Sequence, residues 1–215
     1  MDLVATFFSA APPARRLLAC DEVAAAWDRP SALAGYTVGG LAGHLHRATS
    51  RTEHLLSEPE PASARVVRPA EFFGAARIDT DIDRDNEFQR SVRAVGEEVG
   101  TRGPAALATA FANLLERLRP LVASTPPGRL VAVLTIPDAA TRFDDYLRTR
   151  IVELVVHADD LAASVGVQAP DPGADATEVV VGVLVELARA RSGDLGVIRG
   201  LARSERAEPG SLRAL

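Results

Sequence analysis

The segment Arg150-Ile-Val-Glu153-Leu-Val-Val-His157-Ala-Asp-Asp160 sets a carboxylate and an imidazole four residues apart. In a helix that spacing projects Glu153 and His157 from one face, one turn apart, as two ligands of one metal ion require. A third imidazole, His44, stands in Tyr36-Thr-Val-Gly-Gly-Leu-Ala-Gly-His44-Leu. Two imidazoles and a carboxylate form a mixed nitrogen and oxygen set suited to Zn²⁺ or a related divalent ion. Three protein ligands leave a fourth position for water or substrate, as catalytic sites do. The same residues also admit plainer readings. A Glu–His pair at i, i+4 is an ordinary surface pairing, Arg150 and Glu153 can form a structural salt bridge, and the whole set can be a buried ionic network without metal.

Placement on the helix favours a site. Viewed end-on, Phe143, Leu147, Ile151, Leu154, Leu161 and Val165 fall within about 80° and make a core stripe. Tyr146, Arg150, Glu153, His157, Asp160 and Ser164 fall within about 80° directly beside it. A solvated face belongs opposite the core, where Asp145, Arg148 and Asp159 project. The polar row therefore borders the interior and is placed to face a cavity. His44 borders the stripe of its own helix, about 60° from Leu41, whereas His46 and His54 project to the other side and are expected in solvent.

These side chains need helices to carry them, and helical periodicity dominates the chain. A first helix is expected from Asp2 to Trp27, interrupted or restarted by Pro12 and Pro13. Thr37 is the expected N-cap of a second, Val38 to about Leu56. A long connection from Ser57 to about Asp83 contains a short Glu71-Phe-Phe-Gly-Ala-Ala segment. The third helix is expected over Arg84 to Val99. Pro104 suits the first turn of the fourth, which reaches about Val122. Arg129 to Ile136 reads as one short strand, and a fifth helix from about Ala139 to Val165 carries the opening motif. Two more helices follow, Ala174 to Arg191 and Asp194 to Glu205, before a tail expected to fray from Ala207 to Leu215. The reading is an all-α fold in one domain, residues 1–215, with a metal-binding bundle over 1–165 and C-terminal helices over 170–205 packed on it.

Composition narrows the function. With 24 cationic and 29 acidic residues the net charge is −5, which argues against a nucleic-acid partner. No apolar run is long enough to span a membrane, and the N-terminus lacks the basic start of a signal peptide. The single Cys20 forms no intrachain disulfide and reads as core packing, as does Trp27; a cytoplasmic location follows as the expectation. Gly39-Gly40 is a small pair near a helix start rather than a phosphate loop. Gly196 and Gly200 match no dinucleotide fingerprint, and the His-Glu-x-x-His motif is absent. All 24 basic residues are arginine, which with heavy use of Ala and Val marks a GC-rich genome of the actinobacterial kind.

The stretch from Trp27 through Tyr36-Thr-Val-Gly-Gly-Leu-Ala-Gly-His44-Leu resembles the N-terminal motif of the mycothiol-dependent maleylpyruvate isomerase family. That family belongs to the DinB-like metal-binding four-helix bundles. Its second motif, Arg-x-x-Glu-x-x-x-His-x-x-Asp-Leu, is matched by Arg150, Glu153, His157, Asp160 and Leu161. The resemblance implies a DinB-like four-helix bundle with additional C-terminal helices, and a divalent metal, usually zinc, on His44, Glu153 and His157. It also implies mycothiol or another low-molecular-weight thiol as cosubstrate. The expected reaction is S-transfer to, or cis–trans isomerisation of, a small electrophile, with Arg150 holding a substrate carboxylate, Asp160 orienting a ligating imidazole and Tyr146 donating a proton. The alternative is a non-catalytic module that binds a metal or small ligand as a sensor or partner subunit. Exposed helix faces leave room for a homodimer without requiring one.

Overall fold

The computed structural model describes residues 1–62, 64–74, 87–206, 208–210 and 212. Helix α1 (Leu3–Leu18) opens on Asp2, whose carboxylate accepts hydrogen bonds from the Val4 and Ala5 amides. It runs unbroken through Pro12 and Pro13 and stops at Ala19, short of the expected end. The two prolines cannot donate to the Phe8 and Ser9 carbonyls. Burial of Phe7, Ala10, Ala11, Ala14, Leu17 and Leu18 along the same helix offsets that loss. Cys20, expected inside the helix, instead sits half-buried at the N-cap of a separate short helix, α2 (Asp21–Ala25).

Helix α3 (Val38–Ser57) matches its expected span, and the Thr37 hydroxyl caps it by accepting from the Gly40 amide at 2.8 Å. The long connection contributes a two-residue strand, β1 (Arg65–Val66), and a short helix, α4 (Pro69–Gly74). Helix α5 (Glu87–Gly100) is described from Glu87; the expected start at Arg84 lies outside the described residues. Helix α6 (Pro104–Ser124) begins on its proline as expected.

The expected lone strand is part of a three-stranded sheet of order β1-β3-β2. Strand β2 (Leu130–Ala132) pairs antiparallel with β3 (Ala139–Arg142), Val131 opposite Thr141, and β1 joins β3 in parallel, Val66 opposite Ala140. The residues of β3 were expected to begin a helix. Asp138, at φ 55°, turns the chain back, and pairing on both sides of β3 overrides alanine's helical preference. Helix α7 (Phe143–Val165) then starts with Asp144 and Asp145 at its positive end and stops on Gly166 in the left-handed conformation.

Helix α8 (Ala174–Ala202) bends at Gly193 (φ 69°, ψ 165°), between the two helices expected there. The expected frayed tail lies mostly outside the described residues. Helix α7 packs against α1, α3 and α8, and one buried cluster joins Phe7, Leu41, Leu114, Ile151 and Val183 from five helices. The fold is thus the expected all-α, DinB-like one, with a small sheet added. Among the described residues no helix is long and apolar enough to cross a membrane.

Helices α3 and α5 pack with their backbones in contact. A Cβ on Gly43 would run into the Gly96 carbonyl, and one on Gly100 would lie 2.6 Å from the Gly39 carbonyl oxygen. Glycines at both surfaces let the backbones touch. Trp27 seals the end of this seam, its indole N–H donating to the Gly100 carbonyl at 3.1 Å.

Candidate metal centre

Helices α3 and α7 run antiparallel past each other. His44 meets Glu153 and His157, and the Ala48 carbonyl meets Arg150. The Glu153 carboxylate lies between the two imidazoles, its Oε2 being 3.5 Å from His44 Nε2 and 3.2 Å from His157 Nε2. The two rings sit edge to face with centroids 4.7 Å apart. One ligand atom from each of the three residues falls within 4.8 Å of the other two. Donors bonded to one tetrahedral zinc at about 2.0–2.1 Å lie about 3.3 Å apart, so the group needs little adjustment to hold an ion. Two nitrogens and an anionic oxygen suit such an ion, and the residues present fit it.

Electrostatics prepare the carboxylate. Burial alone would raise the Glu153 carboxyl, but the adjoining His157 and His44 rings, then Arg150, outweigh it and hold it well below the ordinary range. Burial pushes His44 down, with Glu153 opposing, so this ring is held neutral, as a ligand must be. Burial also works against a charged His157, yet Asp160 and Glu153 overcome it and push this ring up to about 9. Asp160 Oδ2 lies 3.0 Å from His157 Nδ1, which leaves Nε2 for Glu153 and any ion.

The other residues of the polar row take distinct places. Arg150 is 5% exposed, hydrogen-bonds the Ala48 carbonyl at 3.0 Å and the Thr149 hydroxyl at 3.2 Å, and reaches Glu153 at 3.8 Å. Its guanidinium also lies over the Tyr146 ring, 4.9 Å from the centroid. Tyr146 is 1% exposed, and its hydroxyl has no hydrogen-bond partner among the described residues. Ser164 is occupied elsewhere: it accepts from the Ala32 amide at 2.8 Å and donates to the Asp160 carbonyl, tying the loop before α3 to α7. Two placements correct the helical projection. His46, expected in solvent, is half-buried with its ring 6.2 Å from that of Phe111, because α6 packs on that side of α3. Asp145 and Arg148, expected on an open face, are likewise half-buried. His54 is exposed as expected.

The three candidate ligands open onto a cavity of about 500 Å³, a size suited to a small molecule. Tyr36 closes it beside His44, the ring centroids being 5.6 Å apart, and burial pushes its phenol up to about 12. Phe72, Phe73 and Phe88 give it an aromatic wall. Arg47 and Arg51 also line it. The sequence reading passed over both, although their positions three and seven residues after His44 place them on the His44 side of the helix.

Comparison with known proteins gives one finding. The family model described as the mycothiol maleylpyruvate isomerase N-terminal domain matches residues 14–162. Neither a curated protein nor a solved structure gives a significant match.

Proposed function

The chain belongs to the family of the mycothiol maleylpyruvate isomerase N-terminal domain, and on that premise we propose that it is a metal-dependent enzyme that uses a low-molecular-weight thiol, mycothiol in the first instance, on a small electrophile. The reaction is S-transfer or, where the adduct rotates and eliminates the thiol, cis–trans isomerisation. The observation that carries this reading is the convergence of His44, Glu153 and His157 from two helices at the wall of a small-molecule cavity.

His44, Glu153 and His157 would hold the ion, most favourably Zn²⁺. When bound there, a divalent ion supplies Lewis acidity that keeps a thiol deprotonated at neutral pH. Asp160 accepts the Nδ1 proton of His157 and fixes that ring's tautomer. Arg150 keeps the Glu153 carboxylate oriented, because its guanidinium is anchored to the Ala48 carbonyl. The Tyr146 hydroxyl, buried at the cavity wall and without a hydrogen-bond partner among the described residues, would donate a hydrogen bond or proton. The Phe72 and Phe73 wall excludes water from the reacting carbon.

Metal analysis of protein purified without a histidine tag tests the reading. About one equivalent of divalent metal is expected in the native chain, lost in both His44→Ala and His157→Ala. A native protein that folds, carries no metal and takes up none on dialysis ends the proposal. A panel of thiols and electrophiles follows; metal-replete protein that consumes no thiol above background points to a binding module instead.

A further inference from the structure

Helix α5 lies against the body of the molecule without burying a side chain in its core. Its buried residues are Gly96 and Gly100, whereas α3 buries Leu41 and Leu45, and α6 buries Leu107, Phe111, Leu114 and Leu118. Both glycines lie in the C-terminal half of α5, where its backbone meets Gly39, Gly40 and Gly43 of α3. Two polar ties lie in the same half. The Glu97 carboxylate accepts from the Thr37 amide at 2.8 Å and from the Thr37 hydroxyl at 2.7 Å, and the Gly100 carbonyl accepts from Trp27. Packed helices fix their crossing angle by interlocking ridges of side chains, which a glycine seam lacks. Such a seam brings two backbones together and lets one tilt on the other.

The N-terminal half of α5 meets the cavity instead. Gly100 lies against Gly39, and Gly96 against Gly43, so the two helices run antiparallel. Continuing that register sets Val92 toward Arg47 and Phe88 toward Arg51. Bulky side chains take the place of glycines along this stretch, and the cavity opens beside them. Phe88 lines the cavity yet is 42% exposed, and Leu134, from the β2–β3 connection, lines it at 57% exposed. Side chains that are both exposed and cavity-lining stand at its rim. An empty cavity offers Phe88 few atoms to pack against, whereas an apolar molecule inside it supplies them.

We propose that the first two turns of α5 are a lid, which tilts on the glycine seam and closes Phe88 over the apolar part of a molecule bound in the cavity. This rests on the cavity being the substrate site of the function proposed above. A segment that buries little apolar surface moves at low cost, and a closing lid shuts water out of a reacting site. Phe88 also selects, because a ligand closes the lid only if it presents an apolar body at that end.

Pulsed electron paramagnetic resonance on the full chain tests this, with N-phenyl-1-naphthylamine as an uncharged apolar probe. In a Cys20→Ala background, nitroxides are attached at Ser91→Cys or at Glu98→Cys on α5, each paired with Glu178→Cys on α8. All three labelled positions are exposed. Saturating probe should shift the distance from position 91 by a few ångström and narrow its spread, while the distance from position 98, beside the seam, stays put. Phe88→Ala should weaken probe binding several-fold, read from probe fluorescence, and abolish the shift; Phe88→Leu should retain part of both. A native chain that does not bind the probe, a distance from position 91 that does not move, equal movement at both positions, or effects indifferent to Phe88→Ala overturns the lid. Metal content and thiol consumption of the unlabelled chain keep the two claims apart. A Phe88-dependent shift in protein that takes up no metal leaves the lid standing and removes the metal-dependent reading; metal-replete, thiol-consuming protein with an unmoved α5 does the reverse.

Discussion

Glu153 is the residue on which the centre turns, since its carboxylate touches His44, His157 and Arg150 together. In the metal-free protein, His157 is held at about 9, above the ordinary value of 6.5. Its ion pairs therefore add stability that is fully present below about pH 6.5 and is lost as pH rises through about 9. Metal binding runs the other way, because the ion must displace the His157 proton. Apparent affinity should climb about tenfold per pH unit from pH 6.5 toward 9 and then level off. Competition with a chromogenic chelator across that range measures it, and a flat profile contradicts a protonated His157. Asp160→Asn removes the anion that fixes this ring and should weaken metal binding by about 10–100-fold, by the same assay, without abolishing it.

The elements explain why three ligands distant in sequence meet. Helix α7 brings two of them on one turn, and α3 brings the third past them in antiparallel packing. Helix α3 is in turn seated by α5 through backbone contact at Gly39, Gly43, Gly96 and Gly100. Gly43→Ala forces a Cβ into the Gly96 carbonyl, and overpacking of this kind costs about 1–3 kcal/mol. Thermal unfolding should show a clear fall in Tm, with weaker metal binding because His44 is the next residue. Gly182→Ala, on α8, meets no atom within 4 Å and should instead stabilise, by up to about 1 kcal/mol. A drop in Tm for Gly182→Ala, or none for Gly43→Ala, contradicts this account of the seam.

For the whole molecule, a metal ion would cross-link α3 and α7, the two helices that pack against each other and between them contact much of the core. Free metal at about 100 times its Kd should stabilise the native state by about 2.7 kcal/mol, a Tm rise of several degrees, reversed by chelation. No such shift is expected in His44→Ala. How much of this was legible beforehand follows from range. The periodicities of α3 and α7, the Thr37 cap and the Gly166 stop are local, and so is the Glu153–His157 pairing, since it follows from helical pitch alone. The two motifs read together with a family pattern joined His44 to that pair as one ligand set and made the helical fold a DinB-like bundle. Other features depend on partners far away in the chain. The helix start moved to Phe143 because strands β1 and β2 flank Ala139–Arg142. The unbroken course of α1 through Pro12 and Pro13 rests on its buried face, and the half-burial of His46 on α6. Gly39-Gly40 looked like a minor small pair until α5 lay against it. Arg47 and Arg51 are ordinary surface cations by composition. Only the tertiary structure sets them beside a cavity walled by α4, α5 and α7, because sequence spacing fixes which side of a helix a charge occupies but not what faces it.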